Sequence, residues 1–455
     1  MPAELPLLAA LAGSVLGALL GCLTGLVPGL HSNNIAAALS TLPIALMAAV
    51  GGAAIGEGGA LTVSCAVVSC AVAHAVASAV PSIFLGAPEG KDVSSVLPGH
   101  RLLRAGRGAE ALRLSVASSL GAIALSLAIL LPVRAVLGPP LMLYPRLMPW
   151  LGPALLLVSG LLVLGETARA RQRGRPLSGW RAGAVALGLL LASGLLGYLV
   201  VFRDGALLDG GSSGGAGIGA LFVGLFGLPT IVWAILDPPR PEEGAPAPST
   251  DAGGRGCWGA VLRGALAGAV VGWFPGTSSG QATMVAVARR GGQTGGDELE
   301  RARRYLAGAA AVAAASTVFN LAALATFMRV RSGPAAAVAR LTGWTEAPWG
   351  ASWLPGPDVA LLLVAIAVGG AVAALVTVFT GGLAADRAAS LGDRRLLFAV
   401  ALMLVWGCVA LGGGRSALVL LAATSLGLLP PMLGVMRVHL MGAMTLPVAL
   451  GLMLG

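Results

Sequence analysis

Two short stretches of this chain carry residue types that could bind an ion in apolar surroundings. Near residue 25 the sequence reads GLVPGLHSNN, and near residue 272 it reads GWFPGTSSGQ. Each is Gly-x-x-Pro-Gly followed by hydroxyl and amide side chains. Proline has no N–H and cannot continue a helix ladder, while glycine accepts a reversed backbone. Pro28-Gly29 and Pro275-Gly276 are therefore expected to end one half-helix. Ser32 or Asn33, and Thr277 or Ser278, are suited to cap the next. A helix N-terminus at membrane depth presents free N–H groups and the positive end of a dipole, both suited to an anion. The unwound carbonyls before it suit a cation such as Na⁺. Asn34, Ser279 and Gln281 add ligands of either sign. The plainer alternative is a proline kink whose caps are satisfied internally.

Other candidates are sparser. His31 stands inside the first motif and is either a ligand or packing. His74 lies deep in an apolar run, where a hydrogen-bonded packing role is the simpler reading. Ser316 and Asn320, spaced i,i+4, share a helix face. They either point at the site or bond across helices. Glu89, Lys91 and Asp92 follow the end of an apolar run, as a solvated turn or as a gate at its mouth. No buried carboxylate pair is visible, so an Asp/Glu proton relay is not expected. With no buried Arg or Lys in view, attraction for an anion has to come from dipoles and N–H groups. Four of the five cysteines (Cys22, Cys65, Cys70 and Cys408) lie in apolar segments, Cys257 is the fifth, and no CxxC occurs. Neither a disulfide framework nor a metal site is indicated. No nucleophile–base pair stands out, so an enzyme is not expected and neither is a catalytic residue.

The elements that must position these motifs are transmembrane helices. Of 455 residues, 56 % are hydrophobic and 11 % charged, against about 25 % charged in soluble domains. The mean hydropathy is +0.88. Apolar runs of roughly 20 residues recur from end to end, enough to cross a hydrocarbon core of ~30 Å. This excludes a soluble enzyme, a nucleic-acid-binding domain and a disordered chain. The alternating ~10-residue strands of a barrel are missing. Glycine, 68 of 455 residues, lets helices pack closely in lipid and break there. Residues 5–27 read as a retained span, with no basic region before them. Trp344, Trp349 and Trp353 read as interfacial anchors.

The most polar long stretch, 237–257, has linker composition. It leaves a Pro-Gly motif near the start of each half, the mark of an internal repeat. The first half has a broken pair at 5–50 and spans near 59–85, 110–133, 139–164, 182–201 and 214–236. The second has a broken pair at 258–288 and spans near 303–328, 357–380, 394–412, 415–434 and 438–454. Positive charge orients them. Loops 89–113, 165–181, 237–263, 289–304, 381–395 and 435–437 hold 22 of the 29 Lys and Arg residues, and the first 88 residues hold none. Those loops are expected in the cytoplasm, and the N-terminus outside. The net charge of +10 then reflects loop arginines, not a nucleic-acid partner. The halves start on opposite sides, so the repeats are inverted.

GLVPGLHSNN, SIFLGAPEGKDVSSVLPGHRLLRAGRG, GWFPGTSSGQAT and the closing GLLPPMLGVMRVHLMGAMTLPV resemble the large membrane subunit of the tripartite tricarboxylate transporters, the TctA permease. They are most similar to its archaeal branch, long described only as a domain of unknown function. The resemblance covers nearly the whole chain. It implies sodium-coupled uptake of citrate-like carboxylates, with a small membrane subunit and an extracytoplasmic binding protein. It makes Gly25, Pro28, Gly29, Gly272, Pro275 and Gly276 the matching substrate-site positions. One run departs: LGAPEGKD after Phe84 stands where better-known members have an Asn-Thr-Pro-Gly-type run.

The expected fold is thus all-α and polytopic, with two inverted-topology repeats (1–236 and 258–455) around a linker at 237–257. Each repeat is a Pro-Gly-broken hairpin plus about five transmembrane helices. The expected function is a multi-pass plasma-membrane permease for a small organic anion, with no bound cofactor and Na⁺ as the coupling ion. Membrane lipids surround it, and a homo-oligomer is compatible with it. The second reading is a translocase of a lipid-linked phosphate or other anionic headgroup, which a wide lateral opening between the repeats would favour. Single cysteines placed in the linker and in loop 89–113 should resist an impermeant thiol reagent in intact cells, while one near residue 4 should label. Labelling of the linker from outside overturns the inverted arrangement.

Overall fold

The computed structural model describes residues 4–27, 57–84, 99, 101–103, 105–173, 179–200, 214–236, 256–274, 279–286, 298–350, 352–386 and 394–454. In chain order the helices are α1 (Glu4–Gly25), α2 (Glu57–Ala77), α3 (Ala79–Phe84), α4 (Gly108–Leu137), α5 (Leu143–Arg173), α6 (Trp180–Tyr198) and α7 (Gly214–Phe222). A π turn (Val223–Gly227) joins α7 to α8 (Leu228–Leu236). Then come α9 (Trp258–Trp273), α10 (Ser279–Ala286), α11 (Glu298–Phe327), α12 (Gly333–Thr342), α13 (Pro357–Asp386) and α14 (Arg394–Leu433). A 3₁₀ turn (Arg437–Met441) leads into α15 (Gly442–Leu454). Among the described residues there is no strand, and ten helical segments are long and apolar enough to cross a membrane. This is a multi-pass membrane protein.

Several boundaries follow from local chemistry. Pro81 cannot donate to the carbonyl of Ala77, and the helix breaks at Ser78, between α2 and α3. Gly413, at φ 62°, kinks α14 between its two spans, a left-handed conformation that suits glycine. One helix was not expected from the apolar runs. In α12, Ser332 accepts from Ala335 N at the N-cap, Pro334 opens the first turn, and Gly343 closes the helix in the left-handed region. Both caps stand in the sequence, but ten residues rich in alanine do not look like a span.

The helices that lead into the two motifs, α1 and α9, are held by glycine ridges. Gly13, Gly17, Gly21 and Gly25 line one face of α1 and lie over Thr62, Ala66, Cys70 and His74 of α2. A Cβ on Gly25 would sit 2.7 Å from the His74 carbonyl oxygen, and one on Gly17 would run into the Ala66 backbone. Gly264, Gly268 and Gly272 of α9 lie in the same way over Gly308, Val312 and Phe319 of α11. The opposite face of α1 exposes Leu8, Leu16 and Leu23, as a lipid-facing surface does.

The packing does not follow the sequence halves. Helix α4, from the first half, packs on α11 and α9 of the second. Helix α13, from the second half, packs on α2 and α1 of the first, and on α4. These helices, with α3, α10 and α12, form one body. In the other, α15 packs on α5 and α6, and α14 on α7, α8 and the π turn between them. A cluster of Leu130, Tyr144, Leu151, Trp273, Phe319 and Trp349 joins the bodies.

The structure corrects the expectation of no buried Arg or Lys and adds two further buried ionisable groups to His74. Arg134, Glu166 and His439 are each 1 % exposed. Helices α4 and α5 run past their apolar stretches and carry charges into packed helix ends, where each meets a partner. Arg134 donates to the carbonyls of Pro139 (3.2 Å) and Gly350 (2.5 Å) and lies 5.5 Å over the Trp349 ring. Glu166 Oε2 stands 3.5 Å from His439 Nε2 and ties α5 to the turn before α15. Arg437 donates to Thr230 Oγ1 at 2.6 Å. Trp349 is therefore a core residue, not an interfacial anchor, whereas Trp353 is exposed.

Gly17→Leu should abolish the folded, monodisperse species in size-exclusion chromatography, because the ridge cannot separate without losing α1–α2 packing along its length. Gly160→Ala is the control. A Cβ there meets nothing within 4 Å, and the thermal midpoint should stay unchanged or rise slightly.

Candidate substrate site

The two hairpins bring the ends of their half-helices against comparable points on neighbouring helices. Gly25, the last residue of α1, lies on His74 and Ala77. Gly272, one residue before the end of α9, lies on Phe319. One turn before the first break, Thr24 donates its hydroxyl proton to the carbonyls of Leu20 and Gly21. Thr24 Oγ1 also shares a hydrogen bond with His74 Nδ1, 3.1 Å away. The packing thus puts His74 beside the first break, although it stands far from that motif in sequence.

Pro28, Gly29, His31, Ser32, Asn33, Asn34, Pro275, Gly276, Thr277 and Ser278 lie outside the described residues, as do Glu89, Lys91 and Asp92. Ser279 opens α10 and is buried, and its carbonyl accepts from Thr283 Oγ1 at 2.8 Å. Gln281 lies on α10, with its side chain outside the description. Ser316 is buried on α11 and donates to the Ala313 carbonyl at 2.9 Å. Its backbone nitrogen is within 3.0 Å of where a Cβ on Gly268 would stand. Asn320 follows one turn later on the same helix and is half-buried.

Below Ser316 the two halves of the chain line a small, partly open cavity. Ser78, Ser82, Ser115 and Ser119 line it from the first half. Leu306, Ala309, Ala310 and Ala313 line it from the second. Its room is about 40 Å³, enough for a few water molecules and too little for a carboxylate substrate. Sequence reasoning passed over these serines. The available signal was their i,i+4 spacing, 78/82 and 115/119, the same that singled out Ser316 and Asn320. Alanines opposite leave the hydroxyls space, and an alanine-rich α11 approaches closely enough to keep it small.

An ion network lies on the same two helices, α4 and α11, nearer the end that the arginine count assigns to the cytoplasm. Glu110, one turn before Ser115, takes Arg303 Nε at 2.6 Å. Arg303 also reaches Glu300 at 3.3 Å, and Glu300 takes Arg304 at 3.0 Å. Arg107 stands 3.7 Å from the other Glu110 oxygen. The Glu110–Arg303 bond joins α4 of the first half to α11 of the second, and both side chains are mostly buried. A further, exposed pair, Arg101 with Glu298 at 3.1 Å, stands at the same end of α11.

At the second break the end of α9 meets a cation. Both terminal nitrogens of Arg331, in the link between α11 and α12, donate to the carbonyls of Trp273 and Phe274. Burial pulls the Arg331 guanidinium down to about 10, while Tyr144 pulls it back up, and it stays charged at neutral pH.

With this geometry in place, the comparison with known families is decisive. The family model described as Tripartite tricarboxylate transporter TctA family matches residues 11–442. This chain belongs to that family. The match runs from the first glycine ridge to the start of α15, across both broken hairpins and both packed bodies. TctA proteins are transporter components, not enzymes, and work in tripartite systems with a small membrane subunit and a periplasmic binding protein. None of the curated proteins and none of the solved structures matches the chain.

Glu110→Gln and Arg303→Gln should each lower the unfolding midpoint, and the pair should be non-additive. Unfolding of the singles and the double in detergent should return a coupling of about 1–3 kcal/mol. The swap Glu110→Arg with Arg303→Glu should recover part of the loss. Additive effects rule out a direct contribution of the pair.

Proposed function

We propose that this TctA-family chain is the permease of a secondary transport system for a small organic anion, a carboxylate of the citrate type. The anion sits between the two helix breaks, held by Ser32, Asn33 and Asn34 on one side and by Thr277, Ser278, Ser279 and Gln281 on the other. His31, Ser316 and Asn320 border the same space, and the serine cavity is its route toward the cytoplasm. The single observation that carries this reading is the parallel construction of the two hairpins. Each ends a half-helix at Gly-x-x-Pro-Gly, each is clamped by a glycine ridge, and the four-serine cavity lies where the halves meet. In the same reading 1–236 and 258–455 are inverted repeats. The exchange of α4 and α13 between the two hairpins supports that.

Na⁺ is the coupling ion in this proposal, ligated by carbonyls freed at the breaks. The accessory proteins are those of the family's tripartite systems, a small membrane subunit and an extracytoplasmic binding protein. Dipoles and hydroxyl groups supply modest affinity. Two helix termini at up to ~2 kcal/mol each, with hydrogen bonds to a charged group at about 1.5–3 kcal/mol, reach the micromolar-to-millimolar range. A carrier has to release its load, so that range suits it. The lipid-linked phosphate reading is not favoured by the family match.

Uptake of labelled citrate and succinate into vesicles, with and without a sodium gradient, tests the proposal. Asn33→Ala and Ser278→Ala should each weaken uptake several-fold at unchanged expression. Gly29→Val and Gly276→Val should abolish it, because a β-branched residue resists the positive φ expected at both positions. If all four variants transport like the wild type, the site lies elsewhere.

A further inference from the structure

We propose that the four-serine cavity is an internal water-binding site, held by Ser115 and Ser119, so that α4 of the first half meets α11 of the second across water at this level. The inference goes beyond the permease reading and does not rest on it.

A serine or threonine inside a helix commonly turns its hydroxyl back to the carbonyl four residues earlier. Ser14, Ser64, Thr230, Thr283 and Thr424 do so. Ser115 and Ser119 do not. Each is 5 % exposed, each lines the cavity, and neither makes a hydrogen bond to a described residue. A hydroxyl taken out of water without a new partner is costly to bury. The facing wall offers none, because Leu306, Ala309, Ala310 and Ala313 of α11 have apolar side chains. Ser78 donates to the Ala75 carbonyl at 2.9 Å, which leaves its oxygen to accept. A partner for these three hydroxyls must both donate and accept, and it must be small.

Water meets each condition. The room of about 40 Å³ exceeds the ~10–15 Å³ that one molecule needs, and the hydroxyls around it supply the few polar partners that a buried water takes. Among the described residues no charged side chain lines the cavity, so nothing there singles out an ion. The network beside it sets the carboxylates of Glu110 and Glu300 against the guanidiniums of Arg107, Arg303 and Arg304, which gives a cation no net pull. A second cavity, of about 20 Å³, makes the contrast. Apolar side chains such as Val68, Leu324 and Leu362 line it, and an apolar cavity stays dry. A contact bridged by water keeps its hydroxyls satisfied when it shifts, so α4 can move against α11 here without stranding Ser115 or Ser119.

Radiolytic footprinting of the full-length protein in detergent tests the site, because hydroxyl radicals made from a bound water oxidise the side chains beside it. Leu306 and Ile83 line the serine cavity and are 2 % and 1 % exposed. Both should be oxidised in the wild type. Leu324, 2 % exposed beside the apolar cavity, should stay unmarked. The double variant Ser115→Ala with Ser119→Ala should lose the Leu306 mark several-fold. Ser126→Ala is the control, since its buried hydroxyl has no partner and lines neither cavity. It should keep the wild-type pattern. Samples are compared only where they elute as the wild type does in size-exclusion chromatography, and Ser119→Ala alone, with a smaller loss, serves if the double variant does not. Leu306 and Ile83 left unmarked in the wild type overturn the inference. So does oxidation of Leu324 to the same extent, or a Leu306 mark that the serine substitutions leave unchanged. None of these outcomes touches the permease reading, which the uptake measurements decide.

Discussion

A bilayer supplies no water to an interrupted helix, so every backbone N–H and C=O freed by a break must find its partner in the protein. The rest of this structure depends on that constraint. Helices α1 and α9 end at Gly25 and Trp273 and free such groups there. Glycine ridges seat α1 on α2 and α9 on α11 at backbone contact. A guanidinium closes the end of α9, and a threonine–histidine pair stands at the end of α1. Groups so arranged are satisfied enough to fold and remain polar enough to meet an ion.

The exchange of helices between the halves serves the same need. If each half packed only on itself, α1 and α9 would present more of their surface to lipid. Instead α4 of the first half covers the second hairpin, and α13 of the second covers the first. The serine cavity lies on one such contact, between α4 and α11. Its wall is small residues, which let the helices approach until little free space remains. The Glu110–Arg303 bond crosses the same contact, so parting the two helices there costs an ion pair whose members are mostly buried, and such a pair is strongly unfavourable to break.

Buried charge is distributed by helix ends. Arg134, Glu166, Arg331, Arg437 and His439 all lie within two turns of a helix terminus or in the link between helices. Carbonyls, hydroxyls or an opposite charge are available there. Among the described residues, the buried polar groups away from these ends are hydroxyls and His74. This division explains why hydropathy found the spans well and the charges poorly. A window of about twenty residues averages over a charge near its edge.

By itself the sequence determined the class of the molecule and the places where it breaks. Hydrophobic length fixes spans because the bilayer has a fixed thickness, and each expected run from 59 onward coincides with described helix, although α5 runs on to Arg173 and α12 was not expected. Proline and glycine fix breaks because their backbone chemistry is local. The break between α9 and α10 and the kink at Gly413 fall where the residues put them. The short capped helix α12 was written in Ser332, Pro334 and Gly343 but fell below the length that a span search reads. The tertiary structure alone decided who meets whom. His74 beside Gly25, Arg331 on Trp273 and Phe274, and Arg303 on Glu110 join residues 49 to 193 positions apart, and the four serines come from two separate stretches of chain. Periodicity specifies which face of a helix is buried. It carries no information about which helix will cover that face, because in lipid one apolar stripe is as good as another until shapes interlock.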